Sequence, residues 1–156
     1  RLSGWGRPVQ TRRGSRGGRG VAIVECFGSI VAQVVEVEIE GSDIRVLRVI
    51  AVVDCGLALD RGGVRAQLAS AIVGGLSAAL HGQIDAVSGA IRQRNFNDVR
   101  LLSLRETPRI QVEVIDGGGE IGGIGEVGLP PVAPALANAV FAATGKRIRR
   151  LPLRLS

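Results

Sequence analysis

Tyrosine and methionine are absent from this 156-residue chain, which has one tryptophan and three phenylalanines. Its core must therefore be packed from Val, Ile, Leu and Ala. Two cysteines, Cys26 and Cys55, are too few for a disulfide framework, a zinc cluster or an iron–sulfur cluster, although a bridge between them stays open. The lone histidine, His81, lacks the cluster of Cys, Asp or His partners that a metal site needs, so no metal-ligating residue is assigned. No apolar run reaches 18 uninterrupted residues, and no membrane-spanning helix is expected. The chain does not begin with Met, and no signal-peptide apolar stretch follows its first arginines, which leaves the compartment open.

Glycine and positive charge are what the chain has in quantity, with 23 Gly and a formal charge of +6. Such a glycine content suits a chain wrapped against a partner or cofactor. The charge is divided unevenly. Residues 1–20 hold six Arg and no acid, and Lys146, Arg147, Arg149, Arg150 and Arg154 crowd the other end. All 14 acids fall between Glu25 and Glu126, beside nine Arg. Basic ends on an acidic body do not form a continuous phosphate-tracking face, and there are few aromatics to stack bases, so a nucleic-acid partner is not expected.

The chain divides into a Gly/Arg-rich arm (1–20) without period, a body (21–145) and a basic tail (146–156). The arm reads as ordered only by contact with something larger. In the body, the β-branched run 21–40 reads as one or two strands with a bend at Gly28-Ser29. A turn at 41–43 leads to a strand over 44–54, with Glu36, Glu38 and Glu40 facing one way to meet Arg45 or Arg48. Residues 64–80 have helical period, with Asp60 placed to cap, and each of Gly74 and Gly75 inside that helix costs about 1 kcal/mol. Close packing or a nearby ligand is the usual reason to accept that cost. A short turned strand is expected over 83–91, and a strand with alternation at Ile110, Val112 and Val114. A second helix over 133–144 is opened by Pro134 and stopped by Gly145.

Between the last strand and this helix lies GGGEIGGIGEVGLPPVAP (117–134), too apolar for a linker and too broken for helix or sheet. Glu126 sits in it. A carboxylate enclosed by such a loop is desolvated and suited to proton transfer near neutral pH; a surface glutamate on a tight turn is the alternative.

The segments GGIGEVGLPPVAPALANAVFAATGKRIRRLP (122–152), VVDCG (52–56) and VRAQLASAIVGGLSAAL (64–80), with GWGRP near the start and NFND at 95–98, resemble a known family. They look like the C-terminal part of the molybdopterin-binding catalytic subunit of the xanthine dehydrogenase and aldehyde oxidoreductase family, of the isoquinoline 1-oxidoreductase beta-subunit type. The resemblance implies an α+β fold, forming the C-terminal portion of the molybdopterin-binding domain of a molybdenum hydroxylase large subunit. It also implies oxidation of an aldehyde or nitrogen heterocycle with oxygen derived from water, with Glu126 as general base. Gln67, Cys55, Gly56 and Gly125 become candidates for cofactor contact, Gln67 through its amide unless it only caps the helix packing, and Cys55-Gly56 through close backbone approach, with a buried apolar Cys55 as the alternative. The cofactor implied is molybdopterin, the cytosine dinucleotide form included. Implied partners are a larger chain or fragment carrying the rest of the molybdenum site, a [2Fe-2S] subunit, a flavin or cytochrome acceptor and a small-molecule substrate. Family members occur in the cytoplasm and as exported periplasmic enzymes.

Two departures stand out: Ala69-Ser70-Ala71 where the family commonly has Glu-Gly, and Glu126-Val127-Gly128 where its loop often reads Glu-Pro-Gly. They leave open a structural subunit that kept the fold and lost catalysis. A basic nucleic-acid module would require the two arginine-rich ends to converge on one surface.

Overall fold

The computed structural model describes residues 2–115 and 117–155; Arg1 at the start of the arm, Asp116, and Ser156 at the end of the tail lie outside the described residues. The β-branched run and its glycine turns give an antiparallel meander of β1 (Arg16–Cys26), β2 (Ser29–Glu40) and β3 (Asp43–Asp54). Phe27 and Gly28 turn the first hairpin with φ of 55° and 73°, the positive values that a tight two-residue turn between twisted strands requires. Helix α1 (Arg61–His81) then leads, past a small hairpin of β4 (Ala86–Val87) and β5 (Ala90–Ile91), to β6 (Arg109–Ile115). β6 pairs in parallel with β3, so the sheet runs β1-β2-β3-β6. Helix α2 (Val132–Thr144) lies across β1 and β2 and touches α1, which also packs on β6. One α+β core results, built from Val31, Val35, Val49 and Val53 of the sheet, Leu68, Ile72 and Leu76 of α1, and Leu136 and Val140 of α2.

The seating of α2 follows from an alternation inside β1. Gly18, Gly20 and Ala22 face the helix side, where a Cβ on Gly20 would overlap the Ala135 carbonyl oxygen and one on Gly18 the Ala139 carbonyl oxygen. The helix backbone therefore rests directly on the strand, and Asn138 Nδ2 donates to the Val21 carbonyl at 3.1 Å. This corrects the reading of 1–20 as an arm without regular structure, because β1 begins at Arg16. The arginines of that stretch also have partners in the body. Glu36 (8% exposed) accepts from Arg19 and Arg48, and Glu38 (1% exposed) from Arg12 and Arg45. Arg19 in addition donates to the carbonyls of Gly4 and Arg7, drawing residues 4–7 over this end of the sheet. The expected meeting of Glu36 and Glu38 with Arg48 and Arg45 is present, with a bulge at Glu36/Val37 that adjusts the register. Glu40 pairs instead with Arg12.

The tail is likewise joined to the body: Leu153 is buried and its amide donates to the Ala79 carbonyl at 2.8 Å. Asp60 caps α1 by accepting from the Gly62 amide at 2.8 Å, as its position suggests. By length and composition α1 is apolar enough to cross a bilayer, although the count of uninterrupted apolar residues predicts no such helix. In this fold Val64, Leu68, Ile72, Leu76 and Ala79 face the core.

Burial alone would raise the Glu36 carboxyl, but the hydrogen bonds from Arg48 and Arg19 outweigh it and hold the group below its ordinary value. Glu38 is lowered chiefly by the Arg12 side chain and backbone amide. Carboxyls lowered in the folded state contribute stability above their unfolded pKa of about 4.3, and that contribution disappears as pH falls through the folded values. Glu36→Gln should cost about 3 kcal/mol near neutral pH, because it leaves two arginines without their carboxylate. Denaturant unfolding at a series of pH values should also show a shallower loss of stability below about pH 4 in this variant than in the wild type.

Candidate functional site

Where β3 ends, Asp54 Oδ1 accepts from the Gly56 amide at 3.0 Å and turns the chain through a positive φ of 67° at Gly56. The loop before α2 is attached at this point. The Gly122 amide donates to the Cys55 carbonyl at 2.9 Å and the Gly123 amide to the Phe27 carbonyl at 2.7 Å, while Ser29 Oγ donates to the Gly123 carbonyl at 2.8 Å. Further along, the buried Gln33 of β2 donates through Nε2 to the Gly128 carbonyl at 2.6 Å. Gly128 also packs on Leu68 and Ala71 of α1, and Val127 is fully buried. Glu126 thus stands between two attachment points, at the start of a turn closed by the Leu129 amide donating to its carbonyl at 2.9 Å.

Glu126 and Gly125 are side by side at the surface. The loop does not enclose the Glu126 side chain within this chain, which corrects the expectation of a carboxylate desolvated by its apolar neighbours. Val127 turns inward at the next position and leaves the glutamate outside, and Ile121 and Leu129 of the same loop are exposed as well. Cys55 and Gly56 are buried, and the tight backbone at Gly56 has an internal cause: a Cβ there would overlap the Glu120 carbonyl oxygen. Gln67 is exposed on α1, next to the Leu68 that touches Gly128. The five residues singled out in sequence therefore gather where β3 ends and the first turns of α1 meet the loop.

Gly125 differs from Gly56 in having no internal cause. Its φ is not positive, and a Cβ on it would meet nothing within 4 Å. The amides of Gly125 and Glu126 and the Glu126 carboxylate have no hydrogen-bond partner among the described residues. Backbone donors beside a carboxylate, on an unobstructed glycine, leave room for a polar ligand to approach closely.

Gln33 escaped the sequence reading, and Ser29 entered it only as part of a bend. Both are fully buried polar side chains at inward positions of β2, and a glutamine among the valines of VAQVVEV is the signal that marks one of them. His81 is the last residue of α1; burial, and then Arg100, lower its pKa, and its Nε2 has no partner among the described residues. It lines a cavity of about 850 Å³ with Ile44, Leu80 and Arg109, at the far end of the sheet from Glu126. Among the described residues, no three His, Cys, Asp or Glu side chains gather as a metal site.

The molybdopterin cofactor-binding domain family matches residues 12–108, a span that includes Cys55, Gly56 and Gln67 and stops short of Glu126. The chain is 32% identical over 149 residues to the isoquinoline 1-oxidoreductase beta-subunit of Brevundimonas diminuta, covering 92% of this chain and 19% of that protein. It is 31% identical over 120 residues to a nicotinate dehydrogenase subunit of Pseudomonas putida, covering 76% of this chain and 10% of that protein. Among solved structures, quinoline 2-oxidoreductase from Pseudomonas putida 86 superposes with a TM-score of 0.72 at 23% identity, over 80% of this chain and 17% of that one, a likeness of fold. The chain belongs to the molybdopterin cofactor-binding domain family. It spans about a fifth or less of the length of these relatives.

Because Gln33 reaches Gly128 across the core, Gln33→Leu should leave that carbonyl unpaired and cost about 1–3 kcal/mol. Amide hydrogen exchange should quicken over residues 124–129 well before it does in β2, which would show that the glutamine holds the Glu126 turn in place.

Proposed function

We propose that this chain is part of the catalytic subunit of a molybdenum hydroxylase that oxidises an aldehyde or nitrogen heterocycle with water-derived oxygen, with Glu126 as its general base. The observation that carries the reading is the exposed Glu126 carboxylate beside an unobstructed Gly125, on a turn fixed from below by Gln33. Family membership supports molybdopterin as the group received here.

The residues present fit such a group. The amides of Gly125 and Glu126 are available to its polar periphery, and the exposed amide of Gln67 offers a donor and an acceptor from α1. Cys55 and Gly56 act from underneath, by holding the loop through Gly122 and by making room for the Glu120 carbonyl. The bound cofactor supplies the redox centre that accepts the substrate's electrons. Glu126 accepts the proton of the attacking oxygen at a carboxylate oxygen, so that nucleophilicity rises as attack begins. Val127 and Leu129 anchor and close its turn, limiting the arcs through which the carboxylate can swing. Desolvation of the base falls to whatever covers the loop in the assembled enzyme, which agrees with the exposure of Leu129 in the same loop and of Leu57 and Leu59 in the segment after Gly56.

The rest of the molybdenum site is assigned to a larger polypeptide, with a [2Fe-2S] subunit and a flavin or cytochrome carrying electrons away. Glu126→Gln in the assembled enzyme should lower kcat by about 10²–10⁴-fold while molybdenum content and subunit composition stay at wild-type values. Turnover within a factor of about two of wild type would remove Glu126 from the mechanism, and a wild-type complex free of molybdenum would favour a structural subunit.

A further inference from the structure

The two glycines in the middle of α1 have different surroundings. A Cβ on Gly75 would lie 2.7 Å from Val132 Cγ2, so that glycine lets α2 approach. A Cβ on its neighbour Gly74 would meet nothing within 4 Å, and its φ is not positive. Among the described residues, nothing packs where a side chain at position 74 would begin.

We infer that the outward face of α1 around Gly74 is a docking groove for an apolar helix from the remainder of the molybdopterin-binding polypeptide. Between Leu68 and Leu80 the helix carries no charged side chain, and 44% of its most apolar window is buried within the chain. A helix apolar on every side is one that is covered on every side. On the uncovered side Ser70, Gly74 and Ala78 are exposed at four-residue spacing, which admits a second helix at short axial distance. The opposite wall is firmly placed: the Leu102 amide donates to Ser77 Oγ at 3.0 Å, and Ser77 Oγ donates to the Val73 carbonyl at 2.9 Å. Together they bound a groove of about 840 Å³ lined by Val73, Gly74, Ala78, Leu101, Pro108 and Ile110. The rim residue Leu101 is 68% exposed.

The occupant follows from length. The matched relatives extend over five to ten times the stretch this chain accounts for, and that polypeptide is the source of the missing helix. The inference rests on the proposal that the chain is one piece of a larger molybdenum subunit.

Two variants test it, with melting of the 156-residue chain and recovery of the assembled complex as readouts. Gly74→Leu should leave the melting temperature unchanged or raised, because it fills open space with a better helix former, while recovery of the complex falls on the order of tenfold or more. Gly75→Leu should lower the melting temperature of the chain itself. Complex recovered at the wild-type level with Gly74→Leu overturns the inference, as does a fall in melting temperature like that of Gly75→Leu. A wild-type chain that dimerises in sedimentation and becomes monomeric with Gly74→Leu assigns the groove to a second copy and overturns it too. So does binding of the chain to phosphatidylcholine vesicles that Gly74→Leu abolishes. Glu126→Gln serves as a control that should assemble normally, so a failure of the catalytic reading appears in turnover and a failure of the groove in assembly.

Discussion

Direct contact between the backbones of β1 and α2 sets the geometry on which the candidate site depends. With hydrogen in place of Cβ at Gly18 and Gly20, α2 settles onto the sheet without an intervening layer of side chains. That fixes where α2 begins, and the loop carrying Glu126 must end there. Its other end is fixed independently by Cys55 and Phe27, and its middle by Gln33. A glutamate on a loop of seven glycines is thus positioned by three separate elements of the core.

The chain also shows many apolar groups on its surface. Ile23, Leu59, Phe96 and Leu104 are each at least 70% exposed, and α1 is only partly covered. Scattered apolar residues are ordinary on protein surfaces, but a helix with no charge over its last three turns is not. Under the proposed function these surfaces are the ones other polypeptide of the assembled enzyme would cover; the chain spans 19% of the length of the isoquinoline 1-oxidoreductase relative. The buried ionic cluster of Glu36 and Glu38 lies at the end of the sheet away from the loop, where the N-terminal residues close over it.

Local pattern made much of this legible in sequence. The β-branched runs, the Gly41 turn, the Asp60 cap and the Gly145 stop are signals that act over a few residues, and each is realised, while the bend read at Gly28-Ser29 is a full hairpin turn at Phe27-Gly28. The arm was illegible because its order depends on partners far along the chain: Arg12 and Arg19 acquire meaning only opposite Glu38 and Glu36. Its glycine-rich composition hid a period of two, Gly18-Gly20-Ala22, that marks the flat side of a strand. At the candidate site, sequence singled out Glu126 and its neighbours but not the exposure of the carboxylate. Composition of a loop records which residues are near one another, and whether the loop closes over a side chain is decided by anchors such as Gln33 and Val127.

The central claim is that this chain forms one part of a molybdenum-containing active site. Molybdenum content and subunit composition of the natively purified complex test it most directly. Stoichiometric molybdenum in a complex with a larger polypeptide and an iron–sulfur subunit is the predicted result. A metal-free oligomer made of this chain alone would contradict it.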